Sequence, residues 1–500
     1  MDRHNNKHVH LHLNSFSVLQ LLLLLLQQLT CTSRAAESSP PPSNELHIGF
    51  RAGPNPAVES FQPLLTDSSG NYSLGFLRVN RNQLSLSVLH LPSSVTLWSA
   101  STTRLPRWAD PTQLSFNGSL VLSDPHTGVF WSTKTPSGDR VWLSNTSNLI
   151  VADGPTLVWQ SFDFPTDTLV ENQNFDTATA LVSSNGVYSM RLGPDHMGLY
   201  AKFAGSGTGP GQIYLKHTAM EAKADIVEGQ PIYLVLKSDG YLGMFQNGSG
   251  PPVDVQPFNT FQQIVPGIRR VRVEPDGNLN GYYWTGSSWV LDYQAISDPC
   301  ELPSSCGPYG LCGPGKVCSC LDNRTVHGSG GCGPPENQNP GDFCGAYDNN
   351  RFRILRRSGV ELPFKELMGY KKMASVELCE AACGGNCTCW GAVYSNSSGF
   401  CYMLDYPIQT LVAVGDETKM GYFKVREGVG KKNVGAWLGL GLGLLFGAVL
   451  VFVGVLGLGW YKLKSRGVKG YAEEDGGGVG VGAYKDLGAA SFRSIELCER

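Results

Sequence analysis

Apolar and polar residues alternate through much of this chain. Between Leu114 and Asp124, "LSFNGSLVLSD" sets Leu, Phe, Leu and Leu among polar residues on either side of an Asn-Gly pair. A period of two sends one row of side chains inward and the other outward. Asn-Gly favours a tight reversal, so the stretch predicts a β-hairpin. Its second half, "NGSLVLSD", is echoed in "TSNLIVAD", "SDGYLGMF" and "PDGNLNGYYW", each with Gly or Asn beside an alternating apolar run. Weak repeats of this kind predict a β-prism or sandwich, and no helical periodicity before Cys300 is long enough to compete. An all-β region of roughly two domain lengths follows.

Two apolar runs break the alternation. At the N-terminus, Arg3, Lys7 and several histidines precede "VLQLLLLLL", and small residues follow in "TCTSRAAES". This is the layout of a secretory signal, predicted over residues 1–36, whose cleavage removes Cys31. Residues 37–46, with "ESSPPPSN", read as a linker. From Val434 to Tyr461 no residue is charged. In a helix Trp437 and Trp460 would stand about 34 Å apart, a bilayer crossing with an aromatic anchor at each end. Lys462, Lys464, Arg466 and Lys469 follow at once, while Lys431 and Lys432 flank the other end. The cleaved signal sets the orientation: a type I plasma-membrane protein with its span at 434–461 and a cytoplasmic tail at 462–500. Gly435, Gly439, Gly443 and Gly447 recur every four residues. That ladder permits lateral pairing of the helix with itself or with a receptor kinase.

Composition narrows the classes. A formal net charge of -3 without a basic stripe gives no reason to expect nucleic acid. Sixty glycines and 16% charged residues suit a turn-rich β protein. Twelve cysteines lie between the signal and the span, all after residue 299, and Cys498 stands alone beyond it. In an oxidising compartment the twelve are a disulfide framework rather than zinc ligands. Sequons begin at Asn71, Asn117, Asn145, Asn247, Asn323, Asn386 and Asn396, all predicted to be outside the cell and N-glycosylated.

Longer phrases carry a family resemblance. "GNYSLGFLRV", "VTLWSAS" and above all "LVWQSFDFPTDTLV" at 157–170, followed by "LVSSNGVYSMRL", resemble the plant bulb-type (G-type) lectin and S-locus glycoprotein ectodomains. The resemblance runs from about residue 47 to 427. It implies a mainly β chain: tandem bulb-lectin-like β-prism domains at 47–170 and 171–297, a small disulfide-rich EGF-like module at 298–333, and an α+β PAN/Apple domain at 344–427, ahead of the single transmembrane helix. In the EGF-like module it implies pairing of Cys300 with Cys312, Cys306 with Cys318 and Cys320 with Cys332, where spacing alone leaves fifteen connectivities open. Only Asp298 precedes the first of these cysteines as an acid, so no calcium is expected. In the PAN module "ASVELCEAACGGN" predicts a short helix with Ser375 as N-cap and Gly384 as its stop, Cys379 and Cys383 sharing one face. The resemblance implies Cys379–Cys401 and Cys383–Cys389 there, with Cys344–Cys387 for the remaining two.

Relatives of this kind hold mannose with Gln-x-Asp-x-Asn-x-Val-x-Tyr. Amide, carboxylate and hydroxyl bond the sugar while the Val packs beneath its ring. On the opening hairpin those positions fall on Ser115, Asn117, Ser119, Val121 and Ser123, where only the Val is kept. On "LSNTSNLIVA" they fall on Ser144, Thr146, Asn148, Ile150 and Ala152, and only the Asn is kept. "VEPDGNLNGY" supplies Glu274, Asp276, Asn278, Asn280 and Tyr282. Each lost polar partner costs about 1–3 kcal/mol, and Asn117 begins a sequon, so the hairpin is expected to be scaffold with a degenerate pocket. Neither GxSxG nor HExxH occurs, and "AGSGTGPGQ" reads as a plain loop. About 39 residues follow the span, too few for a kinase, and they lack HRD and DFG. The prediction is a non-enzymatic, cofactor-free cell-surface glycoprotein, a kinase-less receptor or co-receptor for an extracellular protein, peptide or glycan. The alternative is a genuine mannose-type lectin with a diverged pocket.

Overall fold

The computed structural model describes residues 43–102, 104–203, 209, 211–220, 226–246, 250–322, 327–328, 331–332, 343–344, 352–426 and 434–465. The expected signal, residues 37–42 of the linker, almost all of the tail, and Asn247 and Asn323 lie outside them.

Within the described residues, the alternating region forms six four-stranded antiparallel sheets. Three of them use residues 45–160, built on the meanders Tyr72–Val79/Gln83–His90/Val95–Ser99, Gln113–Phe116/Leu120–Asp124/Gly128–Ser132 and Arg140–Leu143/Leu149–Asp153/Thr156–Gln160. Each takes its fourth strand from earlier in the chain: Phe61–Thr66, Arg51–Ala52 and Glu45–His47. In each, the last two strands carry a bulge that bends the sheet toward its neighbours. Leu114, Phe116, Leu120 and Leu122 of the opening hairpin are fully buried. Trp98, Trp131 and Trp159, one from the last strand of each sheet, meet edge to face with centroids 5.7–6.0 Å apart. Aromatic quadrupoles favour that geometry, and it ties the three sheets into one core.

A second trio follows the same plan on the meanders Tyr188–Leu192/His196–Ala201/Gln212–Thr218, Tyr233–Lys237/Tyr241–Phe245/Asp254–Pro257 and Arg269–Val273/Leu279–Trp284/Trp289–Gln294. Its extra strands are Leu181–Val182, Asn174–Phe175 and Thr168–Val170. The last of these belongs to the phrase that closes the expected first domain, yet it pairs with Arg269–Val273 of the second. Leu169 joins the second core while Val170 packs into the first, so this strand locks one prism to the other.

The cysteine-rich part does not stand apart. Gly310–Gly313 pairs antiparallel with Val317–Cys320 and parallel with Leu411–Ala413, so one sheet joins the expected EGF-like and PAN segments. A five-stranded sheet, Phe352–Ser358, Lys419–Arg426, Gly391–Ser395, Phe400–Leu404 and Lys371–Lys372, completes the module. The helix Val376–Gly384 begins at Ser375, whose Oγ accepts the Leu378 N–H at 3.4 Å. It buries Cys379 and Cys383 on one face and continues through Gly384 to a cap at Gly385. One apolar cluster runs from Leu169 through Tyr309, Phe343 and Trp390 to Val425, uniting the second prism with both modules. A separate unit holds the helix Val434–Ser465, whose 20 residues Gly443–Lys462, of mean hydropathy 2.2, are long and apolar enough to cross a membrane.

Candidate functional site

On the opening hairpin the positions of the sugar pattern share the outer face. Val121 faces Ser115 across the strands, Asn117 is exposed at the turn, and Gly118 there has φ +85°. The Ser119 hydroxyl is already bonded to Ser132 Oγ at 2.9 Å and Thr133 Oγ1 at 3.1 Å. Along the second segment, Asn148 donates to Gln160 Oε1 at 2.8 Å and accepts from Ser161 Oγ and the Phe162 N–H. Ala152 is buried, and Ser144 and Thr146 bond each other in the turn.

In the third segment the structure gathers only part of the set. Tyr282 donates to Glu274 Oε1 at 2.9 Å and accepts from Asn280 Nδ2 at 3.2 Å. Asp276 caps the turn by accepting the Asn278 N–H, and Asn278 is tied to both backbone groups of Ile296. The Arg270 guanidinium lies between the rings of Tyr282 and Trp289, 4.5 and 4.7 Å from their centroids. Burial lowers its proton affinity, and the ring faces stabilise the cation that remains. Polar groups used in this way hold the fold together instead of projecting toward a ligand.

A cleft of about 660 Å³ opens on a different sheet. Asn172, Asn174 and Asp176 approach from the edge strand and its flanks, and Tyr233, Lys237 and Phe245 rise from the neighbouring strands. Tyr233 and Phe245 stack at 5.6 Å and 23°. A Cβ on Gly243 would lie 2.6 Å from Phe245 Cε2, so the glycine lets the aromatic ring lie down along the sheet. Amides, a carboxylate and an ammonium around flat rings are the groups that recognise sugars and polar peptide segments. "SDGYLGMF" carried the repeat signal for this hairpin, but the edge strand lies some sixty residues earlier and nothing local marked it as the partner.

The cysteines are joined as Cys300–Cys312, Cys306–Cys318, Cys320–Cys332, Cys344–Cys387, Cys379–Cys401 and Cys383–Cys389. Asn71, Asn117, Asn145, Asn386 and Asn396 are all exposed. Among the described residues no group of three His, Cys, Asp or Glu side chains is placed to hold a metal ion.

Residues 76–191 match the family model of the D-mannose binding lectin. A PAN domain-containing protein of Arabidopsis thaliana is 50% identical over 92% of this chain and 93% of its own length. The chain belongs to the plant G-type lectin, PAN domain-containing family. Two G-type lectin S-receptor-like serine/threonine-protein kinases of Arabidopsis thaliana are 26% and 27% identical over 68% and 73% of the chain. The chain spans less than half of their length, 40% and 46%. Among solved structures, a Marasmius oreades lectin (16% identical, 26% of this chain and 92% of that one) has a TM-score of 0.19. The two-domain Scilla campanulata agglutinin (15% identical, 51% and 100%) has 0.20. Family membership and the apolar helix together make this a receptor-like, membrane-anchored ectodomain protein.

Proposed function

We propose that this chain forms a type I plasma-membrane glycoprotein, which recognises a glycan-bearing protein or peptide outside the cell as a receptor or co-receptor. The cleft of Asn172, Asn174, Asp176, Tyr233, Lys237 and Phe245 carries the reading. It offers donors, acceptors and stacked rings in one concavity, whereas the polar groups along the pocket pattern are mostly spent on the fold. The reading includes the module boundaries given above, the span at 434–461, and pairing of that helix along its glycine ladder, where Gly443 and Gly447 have open space beside them. The six disulfides and seven sequons belong to the same picture, as framework and coat.

The test uses the full chain in nanodiscs on a glycan array and in pull-downs of glycosylated extracellular proteins. Binding weakened by Tyr233→Ala or Asp176→Ala supports the cleft. A second reading, a mannose lectin at the opening hairpin, is favoured by the family-model match and the retained Val121. Mannose binding enhanced by Asn117→Gln and abolished by Val121→Asp would replace the first reading with that one.

A further inference from the structure

The outer face of the sheet Leu181–Val182, Tyr188–Leu192, His196–Ala201 and Gln212–Thr218 is unlike its neighbours. Met190, Met197 and Leu199 point into the core, while Ser189, Arg191 and Tyr200 lie on the opposite face, Ser189 buried, Tyr200 half-buried and Arg191 exposed. Ser189 stands opposite Tyr200 and Arg191 opposite Gly198, which makes Arg191 the diagonal neighbour of Tyr200. A Cβ on Gly198 would lie 2.7–2.9 Å from Tyr200 Cε2, Cζ and hydroxyl. The ring therefore lies down over the glycine instead of standing off the sheet. A bulge between Leu199 and Tyr200 re-aims the strand at the same point.

Above this ring is a cleft of about 540 Å³ lined by Val182, Ser189, Arg191, Tyr200 and Lys202. Arg191 and Lys202 are exposed, and among the described residues neither pairs with a carboxylate. Among the described residues no Asp or Glu lines the cleft, and Asp195 at the adjoining turn is bonded to His196 Nδ1. Burial raises the Tyr200 phenol and the Arg191 charge opposes it, as a guanidinium close to the ring oxygen must.

We propose that this face binds an acidic oligosaccharide, with a sugar ring on Tyr200 and its carboxylates held by Arg191 and Lys202. A planar guanidinium matches a carboxylate with two parallel hydrogen bonds, and the ammonium adds a second, less directional cation. An inorganic phosphate or sulfate would use the cations and leave the flat ring idle. A neutral sugar would use the ring and leave the cations unsatisfied. The inference rests on the reading of this ectodomain as a glycan binder, but it uses a different sheet and different residues.

The test measures binding of a fully acidic oligogalacturonate to the full chain in nanodiscs, with its methyl-esterified form and dextran sulfate as comparators. Arg191→Ala and Lys202→Ala should each weaken binding about tenfold or more, and Tyr200→Ala similarly, while Tyr200→Phe retains it. The methyl ester should fail to bind, and added salt should weaken the acidic oligomer. Unchanged thermal unfolding of each variant establishes that it folds. No binding by the unmodified chain overturns the proposal, as does equal binding of the ester. Dextran sulfate binding equally well with Tyr200→Ala silent identifies a bare polyanion patch and also overturns it. Tyr233→Ala should leave oligogalacturonate binding intact. If the cleft reading fails on neutral glycans while oligogalacturonate still binds through Arg191 and Tyr200, only the earlier proposal is lost.

Discussion

The two prisms share a plan and differ in what closes them. The first is sealed by its own tryptophans, Trp98, Trp131 and Trp159, and its core contains no cysteine. The second has no such triad. Its core continues into the disulfide-rich modules, and it holds a buried ion pair, Arg269 Nη1 to Asp292 Oδ2 at 2.6 Å, with both side chains at 0–1% exposure. Thr260 and the carbonyls of Ser238 and Gln263 satisfy the rest of that pair. The prism that closes on apolar rings draws its core almost wholly from its own strands, whereas the one that closes through polar ties and shared sheets draws on its neighbours. The same period-two pattern thus produces two prisms that are closed in different ways within one compact unit.

The largest expected effect comes from breaking either closure. Asp292→Ala leaves the Arg269 guanidinium buried and unpaired, and should cost about 3–5 kcal/mol. Hydrogen exchange should show the loss through the second prism and the cysteine-rich modules, with residues 46–160 still protected. Trp98→Ala removes one blade of the triad and should cost a similar 3–5 kcal/mol, with the loss confined to the first prism. Loss of protection throughout the chain from either variant would erase the distinction. A compensated Arg269→Met with Asp292→Leu should come close to neutral, since apolar residues of similar volume can replace a buried pair.

Next in size is a disulfide. Replacing both Cys379 and Cys401 with Ser should cost about 2–4 kcal/mol in denaturant unfolding, with protection lost first around the helix Val376–Gly384. The contact between the prisms is smaller. Ser93 Oγ accepts the Trp289 Nε1–H at 2.9 Å and bonds His90 Nδ1 at 2.8 Å, so Ser93→Ala should loosen the contact by about 1–3 kcal/mol.

The smallest effect is a pH dependence at the same place. Burial and then the nearby Arg270 guanidinium hold His90 below its ordinary pKa, with Tyr72, Trp284 and Trp289 as its other neighbours. As pH falls past about 6.5, the unfolded chain takes up this proton before the folded one does. The stability contributed here is intact above that value and is lost as pH falls toward the folded pKa. His90→Phe should flatten this part of the thermal stability profile between pH 7 and 5, and an unchanged slope would show that the proton is taken up elsewhere.

Much of the fold could be read along the chain. Leu114, Phe116, Leu120 and Leu122 are apolar every second residue, and a strand pairs with its sequence neighbour at little entropic cost, so the hairpins follow from local pattern. Family phrases such as "LVWQSFDFPTDTLV" were equally legible. Thr168–Val170 was not, because its ladder partner lies about a hundred residues later and both of its faces are buried. Arg269 and Asp292 look like two ordinary surface charges until the sheets close around them. The expected sugar positions were readable as a row on one face, but which hydroxyls and amides were already spent depended on Ser132, Thr133, Gln160 and Ile296 across the sheet.

By itself, then, the sequence determined the mainly β class, the family and the apolar helix, since each rests on short-range periodicity or contiguous residues. Only the tertiary structure decided where the polar rows stay free. Gly198 and Gly243 let aromatic rings lie along two sheets, and strands distant in the chain complete the clefts around them. A cleft is a relation between elements brought together by burial of the core, and no local pattern encodes which groups will meet there.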